Sequence, residues 1–444
     1  MALCCLVGAI MVREGFSFSG RVLLASFAVT ICLNGCAPIP RLGPAASATH
    51  DRAFIEYWPS NPNSQKLRLA VKDSIDVKGV VTSAGSEYLA KTRTPAENDA
   101  ACLAIARARG VQFVGKTNMS ELAVATSGIN KYFGTPRNPL SWLWRKIPGG
   151  SSSGSAVAVA NNEADVAFGT DTAGSVRVPA ACCGVVGVKT TFGSIPLDGV
   201  YPIAPNQLDT VGPLARDIAG AVEGMDLLQA GFGARYRQAM SNKPTAEKIR
   251  VGRLHVSGTT PSIDRAVDDA LAKTGFKVVP LGQDLTDKWA RAQNDAAVVA
   301  AVGAWLRDAK FETQPRVALR TKAIVALGGI QYQTAYKAAL RRQPAWKSAI
   351  SEAFKSVDFI ALPTMQTLPP HLPPFGGTLA FELRTLNAQN TQAVNFAGVP
   401  ALAVPIPLRK HSDLVTSLQL IGPNQSEAGL LNAGRLVEKA MKNR

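Results

Sequence analysis

Three places in the chain hold residues whose types and spacing can do chemistry. The first is Pro148-Gly149-Gly150-Ser151-Ser152-Ser153-Gly154-Ser155-Ala156, where four serines crowd the mouth of an alanine-valine run. The second is Gly169-Thr170-Asp171-Thr172-Ala173-Gly174-Ser175, where a serine follows a strand-like run and a flexible turn. The third is Lys72, which ends the hydrophobic stretch Leu67-Arg68-Leu69-Ala70-Val71. The chain has four histidines, His50, His255, His371 and His411, and none stands among other reactive groups. A serine hydroxyl is a weak nucleophile without a base. With no suitable histidine, a lysine is the natural candidate, because burial disfavours its charged form and frees its lone pair.

The serine-glycine segment admits four readings. A phosphate loop needs Lys-Ser/Thr after its last glycine, and here Gly154 is followed by Ser155-Ala156. A nucleophile elbow centred on Ser152 fits G-x-S-x-G formally, but needs a strand before it and a histidine after it. Arg145-Lys146-Ile147-Pro148-Gly149 is a poor strand end. Helix capping by serine oxygens is the plain structural reading, and it suits Ser153 and Ser155. The fourth reading joins this loop to the second segment. There the successive N–H groups of Thr172, Ala173, Gly174 and Ser175 can converge on one point, a nest at a helix N-terminus that suits the oxyanion of acyl transfer.

The elements that must position these groups are short. Strand patterns fall at 67–71, 111–115, 164–169, 249–256, 276–281, 359–363, 401–406 and 417–421, rich in branched residues and bounded by Gly, Pro or Asp. Helical patterns fall at 98–109, 153–161, 215–230, 262–274, 295–310 and 425–442. Strands alternating with helices predict an α/β fold: one large domain with a mixed, mostly buried β-sheet and helices on both faces. The 444-residue length allows that. Residues from about 232 to 350 are more charged and helix-patterned than their flanks and read as a variable insertion. They separate a core over 60–232 from a C-terminal return over 351–444.

The formal charge is +16. Its lysines and arginines are scattered, without basic runs or interleaved aromatics, so no nucleic-acid partner is expected. No C-x-x-C pair and no H-E-x-x-H occurs, which leaves a metal site without support. At the N-terminus, Arg13 and Arg21 precede the apolar run Val22–Leu33, which is too short to cross a membrane. It reads as a secretory signal over 1–35, starting at Met1 or, more tidily, at Met11. Leu33-Asn34-Gly35-Cys36 resembles a bacterial lipoprotein box, which implies a lipidated Cys36, a Pro/Ala-rich tether over 36–50 and a protein exported and anchored to a bacterial membrane, with its domain over 51–444. Cys102, Cys182 and Cys183 make no disulfide framework; the last two read as small buried hydrophobes.

Several longer motifs in order resemble the amidase signature family: AVKDSIDVKG (70–79), GKTNMSELA (115–123), FGTPRNP (133–139), PGGSSSGSA (148–156), FGTDTAGSVRVPAACCGVVGVK (168–189), LDTVGPLAR (208–216) and NFAGVPALAVP (395–405). The match is strong over about 60–232 and weaker in the last hundred residues. The resemblance implies a Ser–cis-Ser–Lys triad with Ser175 as nucleophile, Ser151 as bridging serine after a cis Gly150–Ser151 bond, and Lys72 as terminal base. It implies hydrolysis of a small-molecule amide without a cofactor, by a monomer or homodimer. Ser152 joins the hydrogen-bond network, Asp171 and Arg177 brace the loop, and Thr126 and Ser127 are weaker pocket candidates. Two rival readings remain: a glutaminase like the one that serves glutamyl-tRNA amidotransferases, and a catalytically inactive binding lipoprotein. The sequence departs from the usual pattern in having Ala173-Gly174 where two glycines are common. The LSWLWRKI segment carries Trp142 and Trp144, which suit a site rim, a membrane contact or core packing.

Overall fold

Period-two alternation along the central strands decides the architecture. In the computed structural model, which describes residues 50–141, 146–374, 376–408 and 415–442, one mixed sheet runs through the protein. Its strands are β1 (Phe54–Tyr57), β2 (Arg68–Lys72), β3 (Gln112–Thr117), β4 (Val166–Asp171), β5 (Val186–Lys189), β6 (Thr210–Ala215), β7 (Arg250–Arg253), β8 (Lys277–Pro280), β9 (Phe359–Pro363), β10 (Ala401–Pro407) and β11 (Val415–Ile421). The spatial order is β1-β3-β2-β4-β6-β5-β10-β11-β9-β7-β8. β2 pairs parallel with β3 and β4, and β7 parallel with β8 and β9; the other pairs are antiparallel.

Successive residues of a strand face opposite sides. Leu69, Val71, Val166, Phe168, Leu402 and Val404 join one core cluster, while Ala70, Ala167 and Ala403 join another on the opposite face. Helices cover both faces. The ones used below are α1 (Ser153–Ala160), α2 (Arg177–Cys183), α3 (Ile218–Leu228), α4 (Pro261–Thr274), α5 (Gln283–Asp308), α6 (Leu319–Thr334), α7 (Tyr336–Ser356), α8 (Leu379–Asn387), α9 (Gln392–Ala397) and α10 (Glu427–Lys442). α3, α4 and α10 bury Ile218, Val267 and Leu430 against the bulky face. α1 and α2 lie on the alanine face, where small side chains on both partners let the backbones approach closely.

The eight expected strands are all present, within a few residues at each end. Three more were not legible. β5 and β6 are buried throughout, but β6 reads Thr-Val-Gly-Pro-Leu-Ala, with two residues that ordinarily interrupt strands. β1 lies at the sheet edge, antiparallel to β3. The stretch expected as a helix at 98–109 is a 3₁₀ turn followed by a short helix at Ala104–Ala108. α5 begins twelve residues before the expected 295, since its first turns are charged and carry little apolar signal.

The expected signal, Cys36 and the tether up to residue 49 lie outside the described residues, as do Trp142 and Trp144. Among the described residues no helix is long and apolar enough to cross a membrane. Cys102, Cys182 and Cys183 are free and buried.

Candidate active site

Lys72 occupies the last position of β2, on the same face as Ala70 and therefore toward α1 and α2. It is fully buried. Its Nζ lies 2.7 Å from Ser151 Oγ, 2.7 Å from Thr170 Oγ1 and 3.4 Å from Thr170 O. Removal from water lowers the amine to about 7, against the opposing pull of Asp171 and Asp209. A neutral amine has two hydrogens and one lone pair. With both hydrogens given to the Thr170 oxygens, the lone pair of the neutral form would face the Ser151 hydroxyl, whereas the protonated form donates to it.

Ser151 follows a cis Gly150–Ser151 peptide bond. The turn before it needs glycine: Gly149 has φ +72°, and a Cβ there would meet Cys182 Sγ at 2.8 Å. Main-chain bonds pin the loop. Gly150 N donates to Thr126 O at 2.7 Å, Ser120 N donates to Ser151 O at 3.1 Å, and Ser152 N donates to Ser175 O at 3.2 Å. That last bond joins the serine-rich loop to the second segment. The Ser175 side chain sits at the edge of the site, 7% exposed, and its hydroxyl forms no hydrogen bond among the described residues.

The capping reading of the serines does not hold. Ser152, at the N-cap of α1, makes no side-chain cap bond, and Ser153 Oγ has no partner among the described residues. Ser155 Oγ instead bonds Thr117 Oγ1 at 2.7 Å and Phe168 O at 3.2 Å. The Ser155 hydroxyl faces the sheet because α1 lies flat on it, so strand groups take what a solvent-exposed helix start would turn inward. Ser152 Oγ reaches Thr170 O at 3.4 Å, a weak link to the Lys72 cluster.

The nest at 172–175 is narrower than expected. Gly174 N donates to Asp171 Oδ1 at 2.7 Å, so that N–H is already spent. The N–H groups of Thr172, Ala173 and Ser175 have no such partner among the described residues. The left-handed backbone falls on Gly174, at φ +124°, and not on Ala173, which explains why alanine is accepted one place earlier. Asp171 also receives Val176 N and the Arg177 guanidinium, the latter at 2.9 and 3.0 Å. Burial alone would raise this carboxyl, but the ion pair and hydrogen bonds from Arg177, together with Lys189 and Asn395, hold it far below the usual carboxylate range. Arg177, itself fully buried, bonds Gln419 Oε1 at 2.7 Å and Asn395 Oδ1 at 2.5 Å.

Thr126 and Ser127 are brought beside the loop, but their side chains are committed elsewhere. Ser127 is fully buried and donates to Glu382 Oε1 at 2.6 Å, and Thr126 Oγ1 pairs with Thr385 Oγ1 at 2.8 Å. Both side chains tie the loop to α8. Sequence reasoning passes over two groups at the site. Thr170 Oγ1 accepts from Lys72 Nζ, as above. Asp209 Oδ1 accepts the Thr172 hydroxyl at 2.7 Å, while its Oδ2 accepts Ile203 N and Ala204 N. Both residues stand in family-like motifs, yet nothing in a motif tells which side chain turns inward. Among the described residues no cluster of three His, Cys, Asp or Glu is placed to hold a metal.

The arrangement pairs an amine poised near neutrality with a hydroxyl, beside a second serine and three unpaired N–H groups. Comparison with known proteins adds to this geometry. The family model described as Amidase matches residues 67–431. A Glutamyl-tRNA(Gln) amidotransferase component of Halobacterium salinarum is 33% identical, over 84% of this chain and 94% of its own length. A 2-amino-5-chloromuconic acid deaminase of Comamonas testosteroni is 34% identical, over 84% of this chain and 81% of its own. Among solved structures, that of a 6-aminohexanoate cyclic dimer hydrolase superposes with a TM-score of 0.76 over 89% of this chain and 91% of its own, at 24% identity, a likeness of fold.

Proposed function

The chain belongs to the amidase signature family, and from that premise we propose that it hydrolyses the C–N bond of a small carboxylic amide through an acyl-enzyme on Ser175. The observation that carries this reading is the buried Lys72 amine 2.7 Å from Ser151 Oγ, lowered by burial to about 7. In the proposed reaction Ser175 Oγ attacks the amide carbon and passes its proton to Ser151, whose own proton goes to Lys72. Catalytic hydrogen bonds commonly tighten in the substrate complex, and the Ser175–Ser151 link forms at that stage. The N–H groups of Thr172, Ala173 and Ser175 receive the oxyanion, each worth about 3 kcal/mol by analogy with measured oxyanion donors. Collapse breaks the C–N bond, and the relay returns its proton to the leaving amine. Water then attacks the acyl ester, its proton passing through Ser151 to Lys72; collapse breaks the acyl C–Ser175 Oγ bond, the relay returns the proton to Ser175, and the carboxylic acid departs.

A rhodamine-linked fluorophosphonate tests the nucleophile. Labelling of the folded protein at Ser175, lost in Ser175→Ala, is expected. A folded wild-type protein that takes no label would make it a binding protein instead.

The match across 94% of the amidotransferase component supports a second reading, in which the same acyl chemistry releases ammonia from glutamine. Ammonia release from glutamine alone, out of a panel of amides, would favour it. The lipoprotein-like Leu33-Asn34-Gly35-Cys36 supports export and membrane anchoring. Expressed in a bacterial host supplied with a labelled fatty acid, the protein should take up the label and sediment with membranes. Cys36→Ser should do neither; equal labelling of both would remove the anchor.

A further inference from the structure

Thr391 stands at the N-cap of α9, where a threonine oxygen usually accepts an N–H of its own helix. Here it makes no such cap bond. Its hydroxyl instead reaches Ala173 O at 2.6 Å, across 218 residues of chain. The Gln389 side-chain amide lies 3.0 Å from the same hydroxyl, with Oε1 nearest. A hydroxyl has one proton and a backbone carbonyl can only accept, so the nearer Ala173 oxygen takes it. Turning the Gln389 amide by 180° sets its nitrogen against Thr391 Oγ1 and gives that nitrogen the partner it otherwise lacks.

Ala173 C=O and Gly174 N–H belong to one peptide unit. Its carbonyl is held by Thr391 and its N–H by Asp171 Oδ1. This unit lies between the two that carry the unpaired N–H groups of Ala173 and Ser175. Locking both of its ends therefore sets the direction of the donors on either side. The close approach is built in: a Cβ on Gly174 would fall 2.2 Å from Thr391 Oγ1 and 2.8 Å from Thr391 Cβ. Thr391 is itself fully buried and fixed, its carbonyl accepting Arg177 Nη1 at 3.1 Å.

We propose that Thr391 is a positioning residue of the oxyanion loop, whose hydroxyl proton, directed at Ala173 O, holds the 173–174 peptide so that the neighbouring N–H groups face the developing charge. The proposal rests on Ser175 being the nucleophile.

The test is the rate of fluorophosphonate labelling in the full chain, separated into a maximal rate and a half-saturating probe concentration. Thr391→Val keeps the shape and removes the hydroxyl. Its maximal rate should fall about ten- to a hundredfold, below the loss seen for a direct oxyanion donor, with the half-saturating concentration nearly unchanged. Thr391→Ser keeps the hydroxyl and should label at close to the wild-type rate. An unchanged rate in Thr391→Val overturns the proposal. So does a Thr391→Ser protein as slow as Thr391→Val, since the methyl group's packing would then be the cause. A wild-type protein that takes no label at Ser175 instead removes the acyl-transfer reading itself, an outcome distinct from these two.

Discussion

Lys72→Met will abolish amide turnover while making the folded protein more stable at neutral pH. The expected loss in kcat is about 10³- to 10⁴-fold, toward the upper end of what a positioned base contributes. Methionine fills similar space and cannot accept the Ser151 proton. In the wild type, kcat/KM should fall as pH drops below about 7, where the amine becomes protonated and its lone pair is lost. The stability half of the prediction follows from the same burial. The amine titrates at about 7 in the folded protein and at about 10.5 when unfolded. Between those values the unfolded chain holds a proton that the folded one has shed, so stability rises with pH across the window. The cost of burying Lys72 is thus fully present below pH 7 and vanishes above 10.5. Thermal unfolding of Lys72→Met against wild type should show its greatest gain below pH 7, a large gain at pH 7, and convergence toward pH 10. A variant retaining several per cent of activity on any hydrolysed amide would remove Lys72 from the mechanism.

Arg177→Met should be the most damaging single change to the fold near the site. The guanidinium is fully buried and holds Asp171, Asn395, Gln419 and the Thr391 carbonyl at once. Removing one member of a buried ion pair strands the other charge, at a cost of about 3–5 kcal/mol. Urea unfolding at pH 7 should show that loss. The pH dependence carries the sign. With Arg177 present the Asp171 carboxyl is depressed, so its contribution to stability is present above its unfolded value and is lost as pH falls through the lower folded one. Without Arg177, burial dominates and the carboxyl rises. The deficit of the variant should therefore shrink as the medium is acidified. Arg177→Lys should not rescue, because a single ammonium cannot serve four acceptors held in a planar fork. A variant within 1 kcal/mol of wild type at pH 7 would mean that Asp171 finds compensation elsewhere.

Much of the fold was legible because its strands are short apolar runs between clear breakers. β6 escapes because Gly212 and Pro213 mimic a turn; the strand survives because the pairs of β6 with β4 and β5 enclose it in the sheet. The serines of the opening loop show the limit from the other side. Ser155 has the type and place of a capping residue, yet α1 presses its hydroxyl onto the sheet. Gly174 reads as a donor, and only the nearby carboxylate of Asp171 removes it from that set.

By itself the sequence determined the family motifs, the alternation that puts Lys72 on the face of Ala70, and the lack of any histidine suited to serve as base. These follow from residue type and from neighbours a few positions away. The tertiary structure alone decided that Lys72 is dry, that its amine meets both Ser151 and Thr170, and that Thr391 reaches back to Ala173. Burial and hydrogen-bond partners are set by groups up to 259 residues distant, and no local pattern encodes which of them will meet.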